Sequence, residues 1–105
     1  MKQEAPTSIS RSSSLMLDVV VSNQLKKDLK LAKKRGLKIS RLLEVVNMLA
    51  NQQPLDKKYR DHNLSGNYAG FRECHIEPDW LLVYCIDNGE LELFLFHTGT
   101  HSDLF

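Results

Sequence analysis

Apolar positions change period halfway along the chain. From Leu17 to Val21 a β-branched run predicts a short first strand. Ser22 or Asn23 then offers a side-chain oxygen to the open amides of a first helical turn, and Leu25, Leu29 and Ala32 follow at i, i+4 and i+7 as one buried stripe. Lys26, Lys27, Lys30, Lys33 and Lys34 fill the rest of that helix, and Gly36 after Arg35 fits its C-terminal stop. A second helix is expected from about Ser40, carrying Leu42, Leu43, Val45, Val46 and Leu49 inward and ending before Pro54.

In the last third the period falls to two. Phe71–Ile76, Leu81–Ile86 and Glu90–Phe96 are β-rich runs, and Asn88-Gly89 between the last two accepts the positive φ of a tight antiparallel hairpin. Alternation puts Leu91, Leu93 and Leu95 on one face and Glu92, Phe94 and Phe96 on the other, with both phenylalanines expected in the core. The order β-α-α-β-β-β predicts an α+β domain: an N-terminal strand, a two-helix hairpin, and a three- to four-stranded antiparallel sheet packed on it.

With 105 residues there is room for one such domain. An apolar fraction of 42% and a charged fraction of 26% are globular averages, so most of the chain should fold. The exception is the start, where residues 1–14 hold five serines, a proline and no aromatic residue. We read 1–16 as a disordered leader, with Met16 as an alternative start, and 17–105 as the domain. Nothing approaches the roughly 20 apolar residues of a membrane span, and a secretory signal is missing, so a cytoplasmic protein with no membrane partner is expected. Cys74 and Cys85 lie in apolar strand-like runs without metal spacing and read as small core hydrophobes.

The net charge of +1 conceals a strong separation. Residues 20–60 carry eleven basic side chains against three acids, a balance of +8, while residues 61–105 carry one arginine against eight acids, a balance of −7. Such a separation points either to an anionic partner for the basic half or simply to a solvated helix face.

All four histidines, His62, His75, His97 and His101, fall in the acidic half together with Trp80, the sole tryptophan. Imidazole has an ordinary pKa of about 6.5, so it can take and give protons near neutrality. Cleaving RNA without a metal needs both events: a base to deprotonate the ribose 2′-hydroxyl, an acid to protonate the departing 5′-oxygen, and a cation for the phosphorane charge. His62, His75, Asp79, His101 and Arg72 supply all these types. Pro78 stiffens the turn Glu77-Pro78-Asp79-Trp80, which presents Asp79 near His75. Imidazole and carboxylate are also ordinary zinc ligands, but no pair has the tight helical spacing of known zinc motifs.

Three segments then become specific: Asp61-His62-Asn63-Leu64-Ser65-Gly66; Phe71-Arg72-Glu73-Cys74-His75-Ile76-Glu77-Pro78-Asp79-Trp80; and Thr98-Gly99-Thr100-His101-Ser102-Asp103-Leu104-Phe105. From about Leu17 to Phe105 the chain resembles the YafQ family of toxins, within the RelE/ParE superfamily. That resemblance implies a RelE-like fold with a short C-terminal helical turn, and it assigns His62, His75, Asp79 and His101 to acid–base catalysis. It implies substrate contacts for Arg72, Trp80, His97 and Phe105, the aromatic pair by shaping the pocket or stacking on a base. His97 stands where relatives often carry arginine, and an imidazole can replace that charge only when protonated. Metal-free cleavage of messenger RNA in the ribosomal decoding site is implied, with no cofactor and with silencing by a DinJ/RelB-like antitoxin. Lys26, Lys27, Lys30, Lys33 and Lys34 would then contact ribosomal RNA phosphates, and the antitoxin would cover the same surface. Two rival readings stay open: a ParE-like gyrase poison, whose relatives lack this histidine set, and a non-enzymatic nucleic-acid binder.

Overall fold

A computed structural model describes residues 16–105. The leader expected over 1–16 lies, Met16 apart, outside the described residues. The elements are β1 (Asp18–Val21), α1 (Asn23–Lys34), α2 (Ile39–Ala50), a 3-10 turn (Lys57–Tyr59), β2 (His62–Asn63), a second 3-10 turn (Gly66–Tyr68), β3 (Arg72–Glu77), β4 (Trp80–Asp87), β5 (Glu92–Gly99) and α3 (His101–Leu104).

Local chemistry sets both ends of α1. Ser22 accepts the Leu25 amide at 2.9 Å through its hydroxyl oxygen, and the same hydroxyl donates to the Phe96 carbonyl at 2.6 Å, which ties the helix start to the sheet. At the other end Gly36 has φ +80°. The Gly36 amide reaches the Lys33 carbonyl and the Leu37 amide that of Ala32, both at 3.0 Å, closing a Schellman motif.

The sheet has five strands in the order β1-β5-β4-β3-β2, and it is mixed. Strands β2 to β5 pair antiparallel, whereas β1 lies parallel to β5, Val19 beside Leu93 and Val21 beside Leu95. The expected α+β architecture is present: the antiparallel part has four strands, within the expected three to four, and the N-terminal strand joins it through one parallel pair. The parallel pair is joined by a long connection, since the helical hairpin carries the chain to the far edge and β2 to β4 return it to β5.

Each face of the sheet carries a core. On the helix side Leu25, Leu42, Val45, Leu49, Cys74, Trp80, Leu82, Tyr84, Leu93 and Leu95 pack together. On the other side Leu81, Val83 and Leu104 form a smaller cluster with Leu64, Phe71 and Phe96 around it. Phe96 stacks on Phe71 with centroids 5.0 Å apart, and Phe94 is half-buried. Cys74 is buried, and that burial together with the nearby Asp61 charge pushes its thiol up to about 12, as befits an inert core residue.

One inward assignment and one shared-face assignment are corrected. Leu43 is 58% exposed, because one residue past Leu42 turns a side chain about 100° around the helix. Leu91 is also exposed and precedes β5 with φ +55°. The expected two-residue Asn88-Gly89 hairpin is replaced by a four-residue loop, since Asp87 pairs with Glu92. The Asp87 carboxylate accepts the Gly89 and Glu90 amides at 3.0 and 3.1 Å, and the left-handed residue moves to Leu91. Strand β5 in turn runs three residues beyond Phe96 to Gly99.

Truncation separates the buried from the exposed leucines. Leu93→Ala is expected to cost roughly 2–5 kcal/mol in chemical denaturation, and Leu43→Ala to stay within about 0.5 kcal/mol.

Candidate functional site

Pairing across three strands assembles the histidines. On the face opposite the helices, His75 of β3 sits beside Leu81 of β4, and Leu81 sits beside Gly99 of β5. Two residues after Gly99 comes His101, and His62 of β2 pairs with Glu73 next along β3. The result is a row of rings. His62 to His75 and His75 to His101 both measure 6.4 Å between centroids, His101 to Phe105 6.1 Å, and Phe105 meets Tyr68 edge-on at 5.4 Å. Asp79, in the turn between β3 and β4, accepts the His101 amide at 3.4 Å. The four proposed acid–base residues therefore share one surface, and Phe105, 60% exposed, flanks it.

Hydrogen bonds orient two of the rings. His75 Nδ1 lies 3.2 Å from the Pro78 carbonyl, and His62 Nδ1 lies 2.7 Å from that of Arg60. A carbonyl only accepts, so both Nδ1 atoms carry hydrogen. His75 Nε2 is then the lone-pair nitrogen, free to take a proton. His62 Nε2 instead faces the Glu73 carboxyl at 3.3 Å. Glu73 is 3% exposed and its second oxygen has no partner among the described residues, so the exposed His62 ring sits over a buried carboxyl. Glu73 was missed from sequence, although alternation places it two residues before His75 on the same strand face.

The C-terminal turn that carries His101 and Phe105 is fastened from two directions. Thr100 and Asp103 form a capping box: the Thr100 hydroxyl takes the Asp103 amide and the Asp103 carboxylate takes the Thr100 amide. Arg35, at the end of α1, grips that carboxylate with two N–H groups at 2.6 and 3.3 Å. The guanidinium, followed by the Thr100 amide, holds the Asp103 carboxyl well below the usual carboxylate range. Gly99 completes the fit, because a Cβ there would lie 2.8 Å from the Asp103 Cβ.

Three residues expected at the site are placed elsewhere. Arg72 shares its register with Tyr84 on the helix side, where it donates to Asp61 at 2.8 Å and to Asn63 at 2.6 Å. The Tyr84 hydroxyl donates to the same Asp61, so Arg72 anchors β2 from the far face of the sheet. Trp80 is 1% exposed and donates its indole N–H to Thr98 at 3.0 Å. It shapes the sheet and cannot stack on a base. His97 lies where β1 has ended and α1 covers the edge of β5. Asp28 accepts from His97 Nδ1 at 2.5 Å and from the Thr98 amide at 3.0 Å, and the ring's neighbour is Phe96 rather than the histidine row. Lys26, Lys27, Lys30, Lys33 and Lys34 are exposed on α1, and none forms an ion pair among the described residues. Among those residues no group of three His, Cys, Asp or Glu is arranged to hold a metal ion.

Comparison with known proteins places the chain's fold and family. A family model described as the bacterial toxin of the type II toxin-antitoxin system, YafQ, matches residues 17–105. The mRNA interferase toxin YafQ of Escherichia coli strain K12 is 41% identical over 90 residues, covering 84% of this chain and 95% of that protein. A metal-bound toxin from Helicobacter pylori superposes with a TM-score of 0.82 at 49% identity, over 86% of this chain and all of the other. The toxin of the E. coli DinJ-YafQ complex superposes at 0.78 with 40% identity, over 86% and 98%.

Arg35→Met should loosen the C-terminal turn without unfolding the sheet. Amides 103–105 are expected to lose protection in hydrogen exchange while those of β4 keep theirs. A depressed carboxyl contributes stability above its unfolded pKa of about 3.9 and loses it as pH falls further. The same amides should therefore lose protection on acidification below about pH 4 in the unsubstituted chain.

Proposed function

The chain belongs to the YafQ family of bacterial type II toxins, and from that premise we propose that it is an mRNA interferase that cuts messenger RNA by internal attack of a ribose hydroxyl. The observation that carries the mechanism is the histidine row with Asp79 beside it, open to solvent along its length. Rings 6.4 Å apart can each reach about 3 Å to opposite sides of a single phosphodiester.

In this reading His75 Nε2 takes the proton of the 2′-hydroxyl. The oxygen attacks the adjacent phosphorus, the bond to the 5′-oxygen breaks, and that oxygen leaves with a proton from His101. The products are a 2′,3′-cyclic phosphate and a free 5′-hydroxyl. Asp79 holds the His101 backbone in place, and His62, held between the Arg60 carbonyl and the Glu73 carboxyl, faces the phosphorane charge. That charge was expected to fall to Arg72 or His97; with both engaged elsewhere, His62 takes the role. Phe105 offers an exposed ring on which a base can stack.

Ribosome dependence enters through α1, whose five unpaired lysines suit ribosomal RNA phosphates. A DinJ/RelB-like antitoxin is the partner proposed to silence the chain, by analogy with the E. coli complex. A gyrase poison has no use for a row of oriented imidazoles. No described helix is long and apolar enough to cross a membrane, in keeping with a ribosomal target.

Incubated with programmed ribosomes, the chain should leave 2′,3′-cyclic phosphate ends, and His101→Ala or Asp79→Ala should slow cleavage about 10²–10⁴-fold with folding retained. Added zinc, nickel or copper should not raise the rate. A strict requirement for one of them at the cutting step overturns the metal-free mechanism.

A further inference from the structure

Next to the histidine row lies a cleft of about 450 Å³ that the chemistry above does not use. Arg41 and Glu44 of α2, residues 58–60 of the first 3-10 turn, and the end of β3 at 75–78 line it. We propose that this cleft binds one nucleotide of single-stranded RNA flanking the scissile linkage, with its phosphate between Lys58 and Arg60 and its base against Tyr59. The inference rests on the nuclease reading for which strand is bound and goes beyond it in assigning a second site.

Four observations carry it. The volume suits one small organic ligand, since such pockets run to about 300–1,000 Å³. Lys58 and Arg60 both line the cleft, and neither has a carboxylate partner among the described residues. Tyr59 lies between them in sequence, and the Lys58 ammonium rests 5.1 Å above its ring. A lysine stem is long and flexible, so moving that ammonium onto a phosphate uncovers the ring for a base. A basic groove with an aromatic platform is how sequence-tolerant single-strand sites are built, with stacking worth fivefold or more in affinity.

The cleft is also joined to the row at two points. His75 belongs to both. Arg60 sits in the left-handed region at φ +50°, and in that conformation its carbonyl receives His62 Nδ1 while its side chain lines the cleft. One strained backbone unit thus couples a ring of the row to a cation of the cleft, and a strand leaving the row past His75 runs straight into it. Two carboxylates limit what fits. Arg41 neutralises Glu77 at 3.1 Å, whereas Glu44 has no cationic partner among the described residues. Glu44 accepts hydrogen bonds from a base and repels a second phosphate, so the cleft suits one nucleotide and not a continuous polyanion.

The test uses a short RNA with a single 2′-deoxy sugar at the cut position, which is bound but not cleaved, titrated onto the full chain by fluorescence anisotropy. Replacing both cations (Lys58→Gln with Arg60→Gln) should weaken binding at least tenfold and flatten the salt slope by about 0.7, the share of the one phosphate they hold. Tyr59→Leu should weaken binding fivefold or more and leave the slope unchanged. Lys58 is exposed on a short turn, so Lys58→Gln alone keeps the test valid should Arg60→Gln disturb folding. Cleft variants that bind like the unsubstituted chain overturn the proposal, as does an absence of measurable binding at millimolar RNA. Weakened binding in a chain that fails to cut ribosome-bound message keeps the cleft and discards the nuclease. Cutting with unaltered binding in the variants does the reverse.

Discussion

Leu81 is the residue on which the arrangement turns. It is fully buried in β4 and stands between His75 on one side and Gly99 on the other, so a single rung of the sheet sets the level of both neighbouring strands. Strand register is specified most strongly where a face is buried, and Leu81, Val83 and Leu104 provide that burial on the side of the row. A slip of one residue in β4 against β3 would move His75 to the helix face, among Leu82 and Cys74. A few apolar contacts beneath the row therefore decide whether imidazoles separated by more than a dozen residues come within reach of one another.

Much of this was legible in the sequence where the physics is local. The Ser22 cap, the Gly36 stop and the helical stripe of Leu25 and Ala32 depend on neighbours a few residues away, and they stand as read. The pairing of β1 with β5 was not legible, because a parallel partner more than seventy residues distant leaves no periodic mark. Strand β2 has two residues and no period at all. The hairpin went astray because a side chain outside the turn, the carboxylate of Asp87, chose its geometry.

The site divides along the same line. His62, His75, Asp79 and His101 were singled out because motif order carries them, and the structure places all four on one surface. Arg72 and His75 stand three residues apart on one strand, and an odd separation sends them to opposite faces. No motif says which face is which until the sheet has closed, so Arg72 was misplaced. Trp80 was misread in depth rather than direction: only packing shows that its indole N–H is consumed by Thr98 inside the core. Glu73 shows the reverse, a buried acid whose alternation with His75 was visible but whose partner was not.

The division of charge acquires its meaning from Arg35. Through Asp103 it joins the basic helix to the turn that holds His101. A molecule of net charge +1 has little overall pull on a polyanion, but its dipole turns it in the field before contact. Screening confines that torque to about a Debye length, some 8 Å at physiological salt. For the proposed ribosomal target, the lysine-bearing end would arrive first, with the C-terminal turn fastened to it by Arg35 close behind. Productive encounters then become a matter of orientation on approach, and the association rate should be governed by the same surface that holds the bound state in place.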